Sequence, residues 1–255
     1  MSDEVMPLDE LADAIPDVQA SRQSAASSGA LENLQRWWQD RSDGATPMVA
    51  WMSAPEAGAH ADSGWDLGIA AAAAAAADGA TVIVPVADDD PQADETARAI
   101  IAVLSNRDAS TVCHQWPGRP DAEWMLECAH VRDLGAGLAR HRGDPQELLA
   151  EADPARIGYM AGLLFGAALH AVPCLLDGTS VLAAALVADR IGYRAKAWWG
   201  WASTSVDPAC AVAAERMLLD PLLDLRVASG PQAGRRGMGA KAALALIEIA
   251  IAPAD

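Results

Sequence analysis

The chain has 255 residues, which is enough for one large α/β domain or two modest ones with a sizeable buried core. Its net charge of −17 argues against nucleic acid and anionic membranes as partners, because binding to phosphates needs clustered Lys and Arg. A strongly acidic surface ordinarily keeps a protein soluble, and a cationic partner is the less frequent alternative.

The distribution of cysteine and histidine gives no sign of a metal or redox centre. The four cysteines are widely spaced without a C-x-x-C pair, and the five histidines lack both H-x-x-x-H and H-E-x-x-H spacing. We therefore expect neither a metal nor a cofactor. The acidic start MSDEVMPLDE and the lack of an apolar run of about 18 residues predict a cytoplasmic protein with reduced thiols.

Residues 1–46 are predicted to form a small helical arm, and residues 47–255 an α/β domain. In the arm, Leu31, Leu34, Trp37 and Trp38 have the spacing of an amphipathic helix. The turn sequence RSDGATP follows, and the short apolar run MVAWM then predicts a buried strand.

From residue 65 onward, helical and strand patterns alternate. An alanine helix ends at Asp-Gly and leads into the β-branched strand Thr81–Val86, which suits burial on both faces. ADETARAIIAVLS predicts the next helix, with Asp90 or Asp94 as N-cap, and residues 106–125 are expected to be a loop. Further strands are predicted at VPCLL and AKAWWGW. This alternation predicts a parallel sheet with helices on both faces.

Ligands of such sheets bind at the carboxyl ends of the strands, so three loops become candidate sites. They are Ala87–Pro91, Asp177–Ser180 and Ala202–Pro208.

The loop Asp177–Ser180 combines features of an anion site. Gly178 permits close backbone approach, the following helix N-terminus favours an anion, and the hydroxyls of Thr179 and Ser180 could donate to a phosphate or carboxylate. The alternative is an ordinary helix cap.

The loop Ala202–Pro208 contains Ser205 and Asp207 after a run of three tryptophans. Asp207 precedes a proline at a first helical position, which predicts an N-cap. Apolar walls could also raise its pKa and make it a general base, and the two roles are compatible.

GRRGMGAK at residues 234–241 superficially resembles a phosphate loop. Gly234 and Gly239 have the required spacing, but Ala240 stands where the P-loop lysine would be, so no nucleoside triphosphate site is predicted. Arg235, Arg236 and Lys241 could hold a phosphate or belong to a loop in an acidic protein.

The segments VPCLLDGTSVLAAALVADRI, SVDPACAVAAERMLLDPLLDLRVASG and GMGAKAALALIEIA resemble the nicotinate-nucleotide–dimethylbenzimidazole phosphoribosyltransferases. PLDELADAI and GIAAAAAAAADGATVIVPVA are similar to more N-terminal parts of that family. The resemblance implies a Rossmann-like parallel sheet, a homodimer, and transfer of phosphoribose from nicotinate mononucleotide to an aromatic base in cobalamin lower-ligand synthesis.

The chain departs from the family at several functional positions. The family's catalytic Glu-Pro-Gly-His corresponds to Asp207-Pro208-Ala209-Cys210, and its Gly-rich phosphate loop corresponds to the acidic VADDDPQADET. The family's Asp-His-Gly-Val block and the base-binding segment after it are missing between MVAWM and the alanine helix.

Two functions follow from this comparison. The first is a degenerate or repurposed protein, either a non-catalytic binding paralogue or a subunit. The second is an active transferase with Asp207 as general base. The residues expected to bind substrate are Asp177, Gly178, Thr179, Ser180, Ser205, Gly237 and Gly239.

Overall fold

The computed structural model describes residues 7–18, 29–54, 64–87, 90–226 and 237–252. The helices are α1 (Leu8–Asp13), α2 (Ala30–Ser42), α3 (Gly64–Ala77), α4 (Pro91–Ser105), α5 (Asp121–Leu138), α6 (Pro145–Ala152), α7 (Ile157–Leu169), α8 (Thr179–Ile191), α9 (Pro208–Met217) and α10 (Met238–Ile251). The strands are β1 (Val49–Ser53), β2 (Val82–Val86), β3 (Cys174–Leu176) and β4 (Trp199–Trp201).

Within the described ranges the strands form one sheet in the order β1-β2-β3-β4, and every pair is parallel. Val49 lies opposite Val82, and Cys174 lies opposite Trp199. Helices connect consecutive strands, as parallel pairing requires. The predicted parallel α/β fold is confirmed.

Each face of the sheet has its own apolar core. Side chains alternate along a strand, so Ile83 packs with α7 and α8, whereas Val82 and Val84 pack with α2 and α10 on the opposite face. On that second face Trp37 and Trp38 of α2 are buried, and the indole N–H of Trp37 donates to the Trp199 carbonyl at 3.3 Å. Helices therefore cover both faces.

Helices α3 and α7 pack with unusually close backbones. A Cβ atom on Gly68 would lie 2.1 Å from the Tyr159 carbonyl oxygen, and one on Gly162 would lie 2.0 Å from the Trp65 carbonyl oxygen. Both distances are far below any van der Waals contact. Glycine at these positions, beside the alanines of α3, therefore allows the two helices to meet.

Several sequence-based boundaries differ from the structure. The strand predicted at Thr81–Val86 begins at Val82, and Ala195–Trp198 is a short 3-10 helix before β4 rather than strand. The loop predicted for 106–125 ends early, because α5 begins at Asp121 directly after Pro120. Acidic residues in the first turn of α5 favour this start. Asp90 is the N-cap of α4, and its carboxylate accepts from the Gln92 N–H at 3.0 Å.

Candidate functional site

The candidate site lies where β3 and β4 end side by side. The N–H of Ala202 donates to the Leu176 carbonyl at 3.0 Å, which brings the loop after β4 next to the loop after β3. These loops lead directly into α9 and α8. The juxtaposition follows from parallel pairing, as the sequence predicts.

Asp207 is the most completely hydrogen-bonded of the candidate residues. Arg98 donates to both of its carboxylate oxygens, from Nη1 to Oδ1 at 2.7 Å and from Nη2 to Oδ2 at 2.6 Å. The Ala209 N–H and the Thr179 hydroxyl each donate at 3.0 Å. Asp207 is 1% exposed. Its predicted role as N-cap of α9 is confirmed.

Arg98 connects Asp207 to a buried chain of charges. Its Nη1 also donates to the Val112 carbonyl, and its Nε lies 3.0 Å from a carboxylate oxygen of Glu127. Glu127 in turn pairs with Arg119 at 2.5 Å. Burial alone would lower the pKa of Arg98, but the hydrogen bonds and charges of Asp207 and Glu127 outweigh burial and raise it. Arg98 is therefore permanently charged, and Asp207 is its principal counter-ion.

The hydroxyls of the loop after β3 donate to carboxylates of the protein itself. Thr179 donates to Asp207, and Ser180 donates to Oδ1 of Asp94 at 3.1 Å. Gly178 has a φ of 101°, which favours glycine at that position. The hydroxyl of Ser205 accepts from the Asp207 N–H at 3.0 Å. Thr179 and Ser180 thus support carboxylates of this site, and Ser205 supports the backbone at Asp207.

Cys210 stands at the position where the resemblance has histidine. It is fully buried, with its sulfur 3.6 Å from the Thr179 hydroxyl. Burial, reinforced by the nearby charge of Asp207, raises the pKa of the Cys210 thiol to about 12. The thiol is therefore protonated at neutral pH and is not an activated nucleophile.

Asp177, Gly237 and Gly239 form a second group at the start of α10. The Asp177 carboxylate accepts from the Ala240 N–H at 3.2 Å, and a Cβ on Gly239 would lie 3.2 Å from its Oδ2 atom. Gly237 has a φ of 70° and caps α10 beside Trp51. Of the two glycines, Gly239 therefore lies closest to the Asp177 carboxylate.

Replacing Asp177 by asparagine is expected to stabilise the fold at neutral pH. Burial raises the pKa of Asp177, although N–H groups of Ala240 and Gly239 partly oppose the shift. When folding raises the pKa of an acid, the protonated acid stabilises the fold at pH values below the unfolded pKa of about 3.9. That stabilisation is lost as the pH rises through the pKa of the folded state. Melting temperatures of Asp177→Asn should exceed the parent's at pH 7 and converge with them near pH 4. Asp220→Asn, at an exposed position, is the control. A gain in melting temperature that is as large near pH 4 as at pH 7 would show that it does not come from the ionisation of Asp177.

The third candidate loop is only partly described. Asp88 and Asp89 lie outside the described residues. Asp90 forms an ion pair with Arg156, and this hydrogen bond is the main reason that the pKa of Asp90 is lowered. Asp90 thus has a structural partner in addition to its role as a cap.

A cavity of about 420 Å³ opens between α4 and α5. Its lining includes Arg98, Glu127, Arg119 and Trp116, and the Arg119 guanidinium stacks over the Trp116 ring at 4.4 Å. The cavity therefore reaches the charge chain that ends at Asp207. Among the described residues, no three His, Cys, Asp or Glu side chains converge as a metal site would require.

Sequence reasoning did not find Arg98, Glu127 or Arg119. A signal for Arg98 exists, because it is a single cation within the apolar run ARAIIAVL, and such a buried charge needs a partner. The identity of that partner depends on the tertiary fold, since Asp207 lies 109 residues away.

The tryptophans before the Asp207 loop belong to the core. The indole N–H of Trp198 donates to the Pro16 carbonyl at 2.9 Å, and that of Trp199 donates to the Leu164 carbonyl at 3.2 Å. Trp201 is 7% exposed and lies in the same cluster. These rings pack against α7 and the segment after α1.

Comparison with known proteins places this chain in a family. A family model described as a phosphoribosyltransferase (DBI_PRT) matches residues 52–255. A nicotinate-nucleotide–dimethylbenzimidazole phosphoribosyltransferase of Streptomyces avermitilis is 38% identical over 197 residues, covering 75% of this chain and 50% of the relative. The Mycobacterium ulcerans protein of the same name is 37% identical over 156 residues, covering 61% of this chain and 42% of the relative.

A solved structure with a related fold supports the same family. The CobT structure from Thermus thermophilus superposes with a TM-score of 0.63 at 25% identity, covering 75% of this chain and 55% of that chain. This chain therefore spans about half the length of the relatives that it matches. No helix in the described ranges is long and apolar enough to cross a membrane. By sequence and by fold, the chain belongs to the nicotinate-nucleotide–dimethylbenzimidazole phosphoribosyltransferase family.

Proposed function

We propose that this chain is a degenerate or repurposed member of its family, a non-catalytic binding paralogue or subunit linked to cobalamin lower-ligand synthesis. The observation that carries this proposal is the saturation of Asp207, whose carboxylate accepts four hydrogen bonds inside the protein. A general base needs a lone pair directed at the proton that it removes. Releasing one here would leave the Arg98 charge buried without its main partner.

Two further features support loss of the transfer reaction. The hydroxyls of Thr179 and Ser180 are engaged by Asp207 and Asp94, so they are not directed at a substrate phosphate. The Asp177 carboxylate already occupies the first turn of α10, where the helix dipole would otherwise favour an anion.

The alternative function is an active phosphoribosyltransferase. In that reaction Asp207 would remove the proton from the attacking ring nitrogen of an aromatic base. That nitrogen would bond to the ribose of nicotinate mononucleotide as the bond between ribose and nicotinate breaks and nicotinate leaves. The resemblance of the loop Ser205–Cys210 to the family's catalytic segment favours this alternative. It requires the Arg98 side chain to move away from Asp207 during the reaction.

A direct assay separates the two functions. The purified full chain is incubated with nicotinate mononucleotide and dimethylbenzimidazole, and α-ribazole phosphate is measured by chromatography. We expect no product above the protein-free control. Product that disappears in a folded Asp207→Asn variant would establish the alternative and contradict our proposal.

Ligand binding is tested separately from turnover by thermal shift. A ligand at about 100 times its Kd stabilises the native state by about 2.7 kcal/mol, which is readily measured as a higher melting temperature. A shift with either compound but no product identifies a binding paralogue. No shift with either favours a ligand of another kind.

The remaining parts of the proposal have separate origins. We infer a homodimer from the resemblance to the family, and from the sequence a cytoplasmic location, an arm at residues 1–46 and an α/β domain at residues 47–255. Burial of Trp37 and Trp38 in the core means that these side chains do not supply the dimer interface.

A further inference from the structure

The cavity between α4 and α5 carries an excess of negative charge. Among the described residues, its lining includes four carboxylates and two guanidinium groups. The carboxylates belong to Asp94, Glu95, Glu123 and Glu127, and the guanidinium groups to Arg98 and Arg119. His130 lies 3.7 Å from Glu95 and does not reverse the excess even when it is protonated. The electric field in the cavity therefore attracts a cation and repels an anion.

The two arginines of the cavity already have partners inside the protein. Arg98 donates to both carboxylate oxygens of Asp207. Arg119 donates to the His114 carbonyl at 2.7 Å and pairs with Glu127. A phosphate is bound tightly when arginine N–H groups are directed at its oxygens, and these guanidinium groups are directed at oxygens of the protein. The cavity is thus a poor site for a nucleotide phosphate.

Arg119 also has one polar atom without a partner. Its side chain is 8% exposed, and its Nε is buried with no acceptor among the described residues. A buried N–H group that is left unpaired destabilises the fold, and most such groups in proteins have an acceptor. A ligand that brings an oxygen atom into the cavity would supply the acceptor.

Apolar side chains complete the lining of the cavity. Leu126 on α5 is 58% exposed and Trp116 before α5 is 39% exposed, and both belong to the lining. The volume of about 420 Å³ falls within the range of about 300–1,000 Å³ that is typical of small-molecule sites. The cavity therefore fits an organic molecule with an apolar body better than an inorganic ion.

We propose that the cavity between α4 and α5 binds a small organic ammonium ion whose apolar body carries an oxygen acceptor. The ammonium group pairs with Glu95 and Glu123, the body packs against Leu126 and Trp116, and the oxygen supplies the acceptor that Arg119 lacks. This inference rests on the proposed function, because it names the class of ligand that the binding paralogue takes in place of a nucleotide.

Isothermal titration calorimetry of the full chain tests this proposal with three probes of similar size. Tyramine combines an ammonium group, an aromatic ring and a phenolic oxygen, and we expect it to bind with a Kd below about 1 mM. Phenethylamine lacks the oxygen and should bind about fivefold more weakly. 3-(4-Hydroxyphenyl)propionate has a carboxylate in place of the ammonium group, so its Kd should be at least about 100-fold higher than that of tyramine.

A matched pair of double variants locates the site. Glu95→Gln/Glu123→Gln removes two negative charges from the cavity without changing side-chain size, and we expect the Kd for tyramine to rise about 10-fold. Glu32→Gln/Glu248→Gln is the control, because it removes two exposed charges from α2 and α10 on the other face of the sheet. Its Kd for tyramine should stay within about twofold of the parent value, since distant exposed charges are screened by salt.

The outcomes separate this inference from the proposed function. Equal tyramine affinity in the parent and in Glu95→Gln/Glu123→Gln would overturn the site, and equal affinity for phenethylamine and tyramine would overturn the contact with Arg119. A chain that neither binds tyramine nor forms α-ribazole phosphate would overturn this inference and leave the proposed function standing. Formation of α-ribazole phosphate would overturn the proposed function and this inference with it, because the site would then accept a nucleotide.

Discussion

Replacing Asp207 by asparagine is expected to destabilise the fold by about 3–5 kcal/mol, because removing one partner of a buried ion pair leaves the other charge uncompensated. Arg98 is the residue affected, since its side chain is 10% exposed and Asp207 accepts two of its hydrogen bonds. Loss of the N-cap carboxylate adds to the effect. Urea unfolding followed by circular dichroism measures the change.

The exposed pair Arg107–Glu215 provides the control for Asp207. Its atoms lie 3.6 Å apart, with side chains 51% and 70% exposed, so Glu215→Gln should cost no more than about 0.5 kcal/mol. The double variant Arg98→Met/Asp207→Asn should be less unstable than the sum of the single changes, because the two side chains interact directly. An Asp207→Asn variant as stable as the parent would show that the carboxylate is not needed to compensate Arg98 and could be released as a base.

Replacing Gly162 by alanine is expected to cost about 3 kcal/mol or to prevent folding, because the added methyl overlaps backbone atoms that cannot rotate away. The Cβ atom would lie 2.0 Å from the Trp65 carbonyl oxygen and 2.8 Å from its carbon. Helices α3 and α7 must therefore separate to accommodate it. Differential scanning calorimetry or urea unfolding measures the loss.

Gly137 in α5 is the matched control for Gly162. A Cβ at Gly137 meets no atom within 4 Å, so Gly137→Ala should stabilise the helix by about 0.5–1 kcal/mol. Equal effects at Gly137 and Gly162 would show that the close approach of α3 and α7 is not sterically fixed.

The parts of the fold that the sequence predicts are those with strong local signals. The β-branched run before Val86 predicts β2, and the pair Asp207-Pro208 predicts the start of α9; both are confirmed. The prediction of a loop throughout residues 106–125 is wrong, because prolines mark a helix boundary as readily as a loop, and Pro120 directly precedes α5.

The candidate site is predictable only in part, because local sequence signals place the loops but do not determine long-range contacts. Parallel strands bring the loops after β3 and β4 together, so the proximity of Thr179 to Asp207 follows from the alternating pattern. The alternating pattern does not predict which hydrogen bonds those residues make. The partner of Asp207 is on α4, and the acceptor for the α10 N-terminus is Asp177, two choices that only tertiary packing decides.

The two faces of the sheet are completed at different stages of synthesis. Strands β1 to β4 and the helices that connect them leave the ribosome before α10, which supplies part of the second face together with α2. Until α10 emerges, the cluster that contains Val82, Val84 and Leu175 lacks Ala240, Ala243, Leu244 and Ile247. A nascent chain thus carries an incompletely covered apolar surface on this face until α10 is made, and such exposed surface favours aggregation of incompletely folded chains.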